Sequence, residues 1–376
     1  MLGLALLLAA CGGTAAPASS GAGSAKPAQA ALSGDAKTKW DNLVAAAKKE
    51  GKVVLSVGPG GGAQARQVLP PAFKEDFGID LEVIVAPSTQ TVERLKLERS
   101  SGIHSVDVVI GGSDTMYLSF YGEKLIAPFK QLLIHPDVTN GANWTNGKPW
   151  FMDPEEEHIL RLSNGVTGHT AVNTKLVQTS ELTSSQDLLK PQFKGKLAGF
   201  DWTINGSGAQ HAVFLYVKLG QDYVKKLYVD QQPVKTQDNR QLGDWVGRGN
   251  YPVAIAMNSA TLEQLKQDGL PVQHVPPFKD VGQYVTAGSG LMAMIKDPPH
   301  PAATQLFLNW MAMPKAQIAY NKTVQQGSVL TTVKDDWLPD YLIPKQGVEY
   351  FDLYGWEYTT KTYPAIFETI RKLSGA

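Results

Sequence analysis

Lys52-Val53-Val54-Leu55-Ser56-Val57 is followed directly by Gly58-Pro59-Gly60-Gly61-Gly62. A short run rich in branched apolar residues and bounded by glycines reads as a buried strand. The glycines then give way to a predicted helix over 63–77, so the stretch spells strand, turn, helix. The unit repeats downstream. Asp80-Leu81-Glu82-Val83-Ile84-Val85 is a second strand with a helix over 91–100, and 106–110 is a third strand. That strand ends in Gly111-Gly112-Ser113-Asp114-Thr115. Upstream, Trp40, Leu43, Val44 and Ala47 fall at helical spacing and stop at Gly51. Strands alternating with helices predict an α/β fold whose sheet is mainly parallel and covered on both faces.

A second series starts after Asn173-Thr174. Strands are predicted at 197–201, 234–236, 253–257, 272–275 and 284–295. Asn205-Gly206-Ser207-Gly208 opens one helix, with Ser207 and Gln210 in a capping-box pattern, and Asn258-Ser259 opens another. Pro301 sits at a favoured first helical position before Leu306, Phe307, Trp310 and Met311. The tail from Asp335 carries Trp337, Tyr341, Tyr350, Tyr354, Trp356, Tyr358 and Tyr363, read mostly as core contacts, with one or two within reach of a ligand.

The amino terminus has another character. Met1-Leu2-Gly3-Leu4-Ala5-Leu6-Leu7-Leu8-Ala9-Ala10 is too short to span a bilayer and suits a signal-peptide core over 1–10. The sole cysteine, Cys11, follows it, and Leu8-Ala9-Ala10-Cys11 resembles a bacterial lipobox, which implies cleavage before Cys11 and its lipidation. Residues 11–37 are mostly Gly, Ala, Ser, Thr and Pro. Such a segment buries too little surface to offset its ordering entropy and reads as a tether of about 25–30 Å. These features predict an exported protein, anchored by lipid at the outer face of the cytoplasmic membrane or in the periplasm.

Composition excludes several classes. Lys plus Arg equals Asp plus Glu at 35 each, so no basic balance points to nucleic acid. With 43% hydrophobic and 19% charged residues, the chain has the composition of a globular protein. One cysteine allows no disulfide framework and no thiolate metal site. The seven histidines show no i, i+4 pair, and Glu155-Glu156-Glu157-His158 lacks the second histidine of a metalloprotease helix. No metal or cofactor is expected, and no enzyme motif is complete.

Four strand ends hand over to helices through small polar residues: Gly60 and Gly61, Ser113-Asp114-Thr115, Ser207-Gly208, and Asn258-Ser259. Helix amino termini present unpaired N–H groups and partial positive charge, which suits anions. In open α/β sheets ligands lie beyond the carboxyl ends of the strands. The expected ligand site therefore comprises Gly60, Gly61, Ser113, Asp114, Thr115, Ser207, Asn258 and Ser259. Trp202 and Tyr284 are expected as an aromatic wall, with Arg161 or Arg240 as nearby cations. A rival reading takes Gly58-x-Gly60-x-x-Ala63 as a relaxed dinucleotide fingerprint, with Asp80 or Glu82 as the ribose-binding acid of an enzyme.

The blocks 43–54 (LVAAAKKEGKVV), 107–114 (DVVIGGSD), 187–197 (DLLKPQFKGKL), 249–256 (GNYPVAIA) and 299–317 (PHPAATQLFLNWMAMPKAQ) occur in this order. Together they resemble the solute-binding lipoproteins of ABC importers, of the two-lobed type that includes ferric-iron-binding proteins. The resemblance implies two doubly wound α/β lobes joined by a two-strand hinge, with crossovers near 168–173 and 284–288. Lobe 1 would comprise 38–168 plus 287–376, and lobe 2 would comprise 169–286. It implies a monomeric, non-enzymatic receptor that hands a small solute to a membrane permease. Ferric members place two adjacent tyrosines just after an Asn in the block that here reads Met257-Asn258-Ser259-Ala260-Thr261, with no tyrosine. The expected solute is therefore a small polar or anionic organic molecule, carboxylate-like or phosphonate-like, with ferric iron as the alternative.

Overall fold

The computed structural model describes residues 32–167 and 169–375; the signal-peptide core, Cys11 and most of the tether lie outside them. Three sheets organise the described residues. In the first, Asp80–Val85, Lys52–Val57 and Val108–Gly111 run parallel. Leu291–Ile295 then joins antiparallel, carrying Ile126–Ala127 and Ile159–Arg161 on its other side. The helix Gly34–Glu50 stops at Gly51, whose φ of 73° lets its N–H return to the carbonyl of Ala47. The helices Pro59–Phe77, Pro301–Met311 and Pro314–Val324 cover the sheet around Phe73, which meets Phe307 at 5.5 Å and Trp310 at 5.1 Å. Burying one such aromatic contributes roughly 2–3 kcal/mol.

The second sheet runs Val272–His274, His169–Asn173, Val253–Met257, Leu197–Phe200, Val234–Thr236. Its last three strands are parallel, and the helices Ser207–Leu219, Asn239–Gly247 and Ser259–Gln267 follow its strand ends. The third sheet is small and decisive. Ser163–Thr167 and Tyr284–Thr286 pair antiparallel, with Tyr284 opposite Thr167 and Thr286 opposite Gly165. Gly327–Ser328 and Phe351–Asp352 flank this pair. These two strands carry the chain between the larger sheets, so the architecture is two-lobed α/β.

Three sequence expectations shift. The first crossing strand is Ser163–Thr167, because His169–Asn173 already pairs with Val253–Met257 inside the second sheet. The helix expected from 63 begins at Pro59, so Gly60 and Gly61 lie in its first turn. Proline at the first helical position needs no N–H partner and outweighs the glycines' loop preference. Ser207 is the first residue of its helix, and Gly206, with φ 149°, takes the cap position without a capping side chain.

The tail does not stay on the first sheet. Trp337 Nε1 donates to the carbonyl of Gln326, then Tyr341 reaches Glu263 and stacks on His274 at 4.1 Å. Phe351–Asp352 adds a strand to the hinge, and the helix Tyr363–Leu373 packs on Ser207–Leu219. This helix is strongly amphipathic, and its buried Tyr363 and Ile370 need an apolar partner that Phe214 and its neighbours supply. One apolar cluster therefore runs from Val109 and Tyr117 through Tyr354 and Tyr358 to Phe214 and Ile255.

Gly208 clamps the second sheet to its helix: a Cβ there would lie 2.3 Å from the carbonyl oxygen of Phe200 and 2.6 Å from that of Asp201. Both obstacles are backbone. Gly208→Ala is expected to lower stability by about 1–3 kcal/mol, read as a fall in the urea midpoint with the m-value unchanged.

Candidate functional site

The carboxyl ends of the parallel strands converge near the hinge. On the first sheet, a Cβ on Gly111 would lie 3.2 Å from Ser88 Oγ, and one on Gly58 would lie 3.8 Å from it. A Cβ on Gly112 would lie 3.7 Å from the carbonyl oxygen of Gly288 and 3.8 Å from the Tyr354 hydroxyl. Ser113–Thr115 turns away from this end, with Ser113 buried and Asp114 and Thr115 half-buried. The Ser113 hydroxyl donates to Asp114 Oδ1 at 3.3 Å, the one hydrogen bond of that carboxylate among the described residues. Burial raises the Asp114 pKa above the ordinary carboxylate value, and the Ser113 bond opposes the rise.

The tail supplies the facing side. The Tyr354 hydroxyl donates to the carbonyl of Gly288 at 2.6 Å, and Tyr117 donates to the carbonyl of Tyr354 at 2.7 Å. Tyr363 donates to Asn205 Oδ1 at 3.2 Å, reaching the loop before Ser207 on the second sheet. Tyr358 lies between, 5.0 Å from Phe351 and 6.2 Å from Tyr363, and the segment it opens, Tyr358–Thr362, packs on Ser113–Thr115. The Tyr358 hydroxyl is buried without a hydrogen-bond partner among the described residues. Burial and the nearby Asp114 charge raise the pKa of Tyr354, Tyr358 and Tyr363, so all three are neutral phenols.

The expected residues divide. Ser113, Asp114 and Thr115 sit at this junction, and Asn205 brings the Ser207 helix terminus to it through Tyr363. Asn258 caps the helix Ser259–Gln267, its Oδ1 accepting from the N–H groups of Ala260 and Thr261. Trp202 is buried against Tyr228 at 4.7 Å and donates to Ser374 Oγ, so its ring is packed rather than open. Tyr284 is likewise enclosed, its hydroxyl 3.1 Å from His211 Nδ1 and its ring 4.6 Å from Phe214. Tyr284 and His211, with Thr167, Thr170, Phe278 and Gln283, line a small cavity of about 40 Å³.

Neither expected cation is offered to this junction. Arg161 is fully buried and donates to Asp352 at 2.7 Å, Asn164 at 2.8 Å and the carbonyl of Ser163 at 3.0 Å. Its guanidinium also lies 4.4 Å over the Trp150 ring. Arg240 is exposed on the first turn of its helix. The dinucleotide reading fails on register. Lys52 pairs with Asp80 and Val57 with Val85, so Asp80 stands at the end of the sheet remote from Gly58, and Glu82 faces outward to Lys52. Asp153, Glu155 and His158 come within 4.8 Å of one another beside an outer surface pocket, but Asp153 already accepts three backbone N–H groups and contacts His158. It fixes its own loop.

Sequence reasoning missed Asn205 as a contact and did not single out Tyr354, Tyr358 or Tyr363. The signal available was the density of aromatics in the tail, without any mark of where they dock.

Residues 71–343 match the family described as bacterial extracellular solute-binding protein. No curated protein matches the chain. Among solved structures, iron-bound HitA from Pseudomonas aeruginosa aligns at TM-score 0.60 and 16% identity, over 86% of this chain and 99% of that one. The Trichodesmium IdiA (FutA) protein in complex with iron and citrate aligns at 0.62 and 18%, over 86% and 98%. AfuA from Actinobacillus pleuropneumoniae, with fructose-6-phosphate bound, aligns at 0.57 and 16%, over 86% and 97%. At these identities the likeness is one of fold. No helix of the described residues is long and apolar enough to cross a membrane.

Two outcomes follow from this geometry. Burial pushes the His211 imidazole down from 6.5 to about 4. The neutral form is favoured in the fold, so its contribution is present above pH 6.5 and is lost as pH falls towards 4. That contribution is about 3 kcal/mol, so urea midpoints should fall between pH 7.5 and 4.5, and less steeply in His211→Gln. Arg161→Ala leaves Asp352 without its partner and should cost about 3–5 kcal/mol in the same assay at neutral pH.

Proposed function

The chain belongs to the bacterial extracellular solute-binding proteins, and from that premise we propose that it is the solute receptor of an ABC importer. It captures a small polar solute between its lobes and delivers it to a permease in the cytoplasmic membrane. The observation that carries this reading is the convergence of Ser113–Asp114, Asn205 and Tyr358 at one junction, between two sheets joined through one antiparallel strand pair. A hinge of that kind bends with little change inside either lobe, and a solute touching both lobes favours the closed form by its differential contacts.

We place the lobes at 38–168 plus 287–376 and 169–286, with the terminal helix crossing to the second. Cys11, lipidated, would tether a monomer to the outer face of the membrane. Of the solute classes expected from sequence, an anionic carboxylate or phosphonate finds helix amino termini here, such as that of Ser207–Leu219, while Lys235, beside the strand-end loop of the second lobe, is already held by Asp201 at 3.0 Å and Thr203 Oγ1 at 2.6 Å. Ferric iron favours several anionic oxygen ligands, and the Tyr354 and Tyr363 hydroxyls are already bonded to the carbonyl of Gly288 and to Asn205 Oδ1. The neighbours with iron, iron and citrate, and fructose-6-phosphate indicate how widely this fold's ligands range.

The test is native mass spectrometry of the purified chain, followed by a thermal-shift screen and solution scattering. A bound or stabilising small solute that reduces the radius of gyration is the expected result. Saturating binding with no compaction, or turnover of a solute, would overturn the receptor reading.

A further inference from the structure

The junction is chemically lopsided. Asp114 is half-buried and held by a single hydroxyl, while Lys235, which lies against the strand-end loop of the other lobe, is already paired with Asp201 at 3.0 Å and donates to Thr203 Oγ1 at 2.6 Å. Tyr358 opens the segment that packs on Ser113–Thr115, and its hydroxyl is buried, with 9% exposure of its residue and no partner among the described residues. Buried polar groups are normally satisfied, and an orphan at a junction of elements marks a place where another molecule completes the bonding. Around these two lie the buried rings of Tyr354 and Tyr363, and the amino terminus of Ser207–Leu219 lies on the other lobe beside Asn205.

Each ligand chemistry meets this set differently. An anion would lie against Asp114, and Lys235 on the other lobe is already neutralised by Asp201. A ferric ion would find one carboxylate, with the Tyr354 and Tyr363 phenols already bonded to Gly288 and Asn205. A protonated amine would suit Asp114 but would face the positive end of the Ser207 helix. A neutral solute with several hydroxyl groups suits every member. Its O–H groups donate to Asp114, its oxygens accept from Tyr358 and from helix N–H groups, and its C–H faces pack on tyrosine rings.

We infer that the solute is a neutral polyhydroxylated molecule, a sugar or sugar alcohol, gripped by Asp114 on one lobe and completed by the Tyr358 hydroxyl of the tail. This rests on the receptor reading and narrows its ligand. Tyr358 then has two opposite roles: its unpaired hydroxyl costs the empty protein stability and gives the loaded protein affinity.

The test is isothermal titration of the full chain at neutral pH with glucose, fructose and sorbitol. Succinate, 2-aminoethylphosphonate, spermidine and ferric citrate complete the panel. One or more of the neutral polyols should bind, with compaction by scattering. Asp114→Asn should weaken that binding about ten- to a hundred-fold, the range for hydrogen bonds to a charged group. Tyr358→Phe should weaken it several-fold while raising the urea midpoint of the empty protein, a pairing that a merely structural role would not produce. Binding of an anion, an amine or the ferric complex with none of the polyols would overturn the inference and leave the receptor reading intact. Polyol affinity unchanged in Asp114→Asn would overturn it as well. No binding from the whole panel, with no compaction, would overturn both.

Discussion

Everything in this molecule depends on the antiparallel pairing of Ser163–Thr167 with Tyr284–Thr286. The two large sheets have their own cores, and this short ladder takes the chain out of the first and back into it. Its neighbours make it a third sheet rather than a bare linker, because Gly327–Ser328 and Phe351–Asp352 occupy its two edges. The buried guanidinium of Arg161 secures one edge, donating to Asp352 on the tail strand and to Asn164 on the crossing strand. Removing a buried charge from water is costly unless it is paired and fully hydrogen-bonded. The tail strand is therefore tied to the hinge by charge as well as by backbone.

That tie changes what the tail is. A chain end pinned at Asp352 cannot stray far in the next few residues, so Tyr354, Tyr358 and Tyr363 are delivered to the space where the strand ends of both sheets meet. The terminal helix then buries its apolar face on Ser207–Leu219, and the tail spans both lobes. Opening the lobes must either carry the tail with one side or shear its contacts with the other. The single cluster linking Tyr117, Tyr354 and Phe214 makes such a movement a discrete repacking rather than a gradual flexing.

The sequence was legible where structure is local. Lys52–Val57 and Val108–Gly111 announce themselves as apolar runs, Gly51 ends its helix with positive φ, and the strand-to-helix order brings Ser113 and Asp114 to the carboxyl end of the first sheet. It was misleading where two local preferences compete: five residues of glycine and proline read as a loop, yet Pro59 begins a helix. Ser163–Thr167 and His169–Asn173 are both strands, and nothing local in the sequence marks that pairing passes from the hinge to the second sheet between them. Trp202 and Tyr284 were read as walls by their type and position, and packing on Tyr228 and Phe214 placed them inside. The tail tyrosines were visible as residues and invisible as a site, because their docking is set by the distant Arg161–Asp352 pair.

Solute binding where both lobes and the tail meet is tested most directly by hydrogen exchange measured by mass spectrometry, with and without saturating solute. Added protection is expected in three separated segments at once: 112–116, 205–209 and 354–363. Protection confined to one lobe, or centred on the outer pocket around Lys296 and His158, would contradict it.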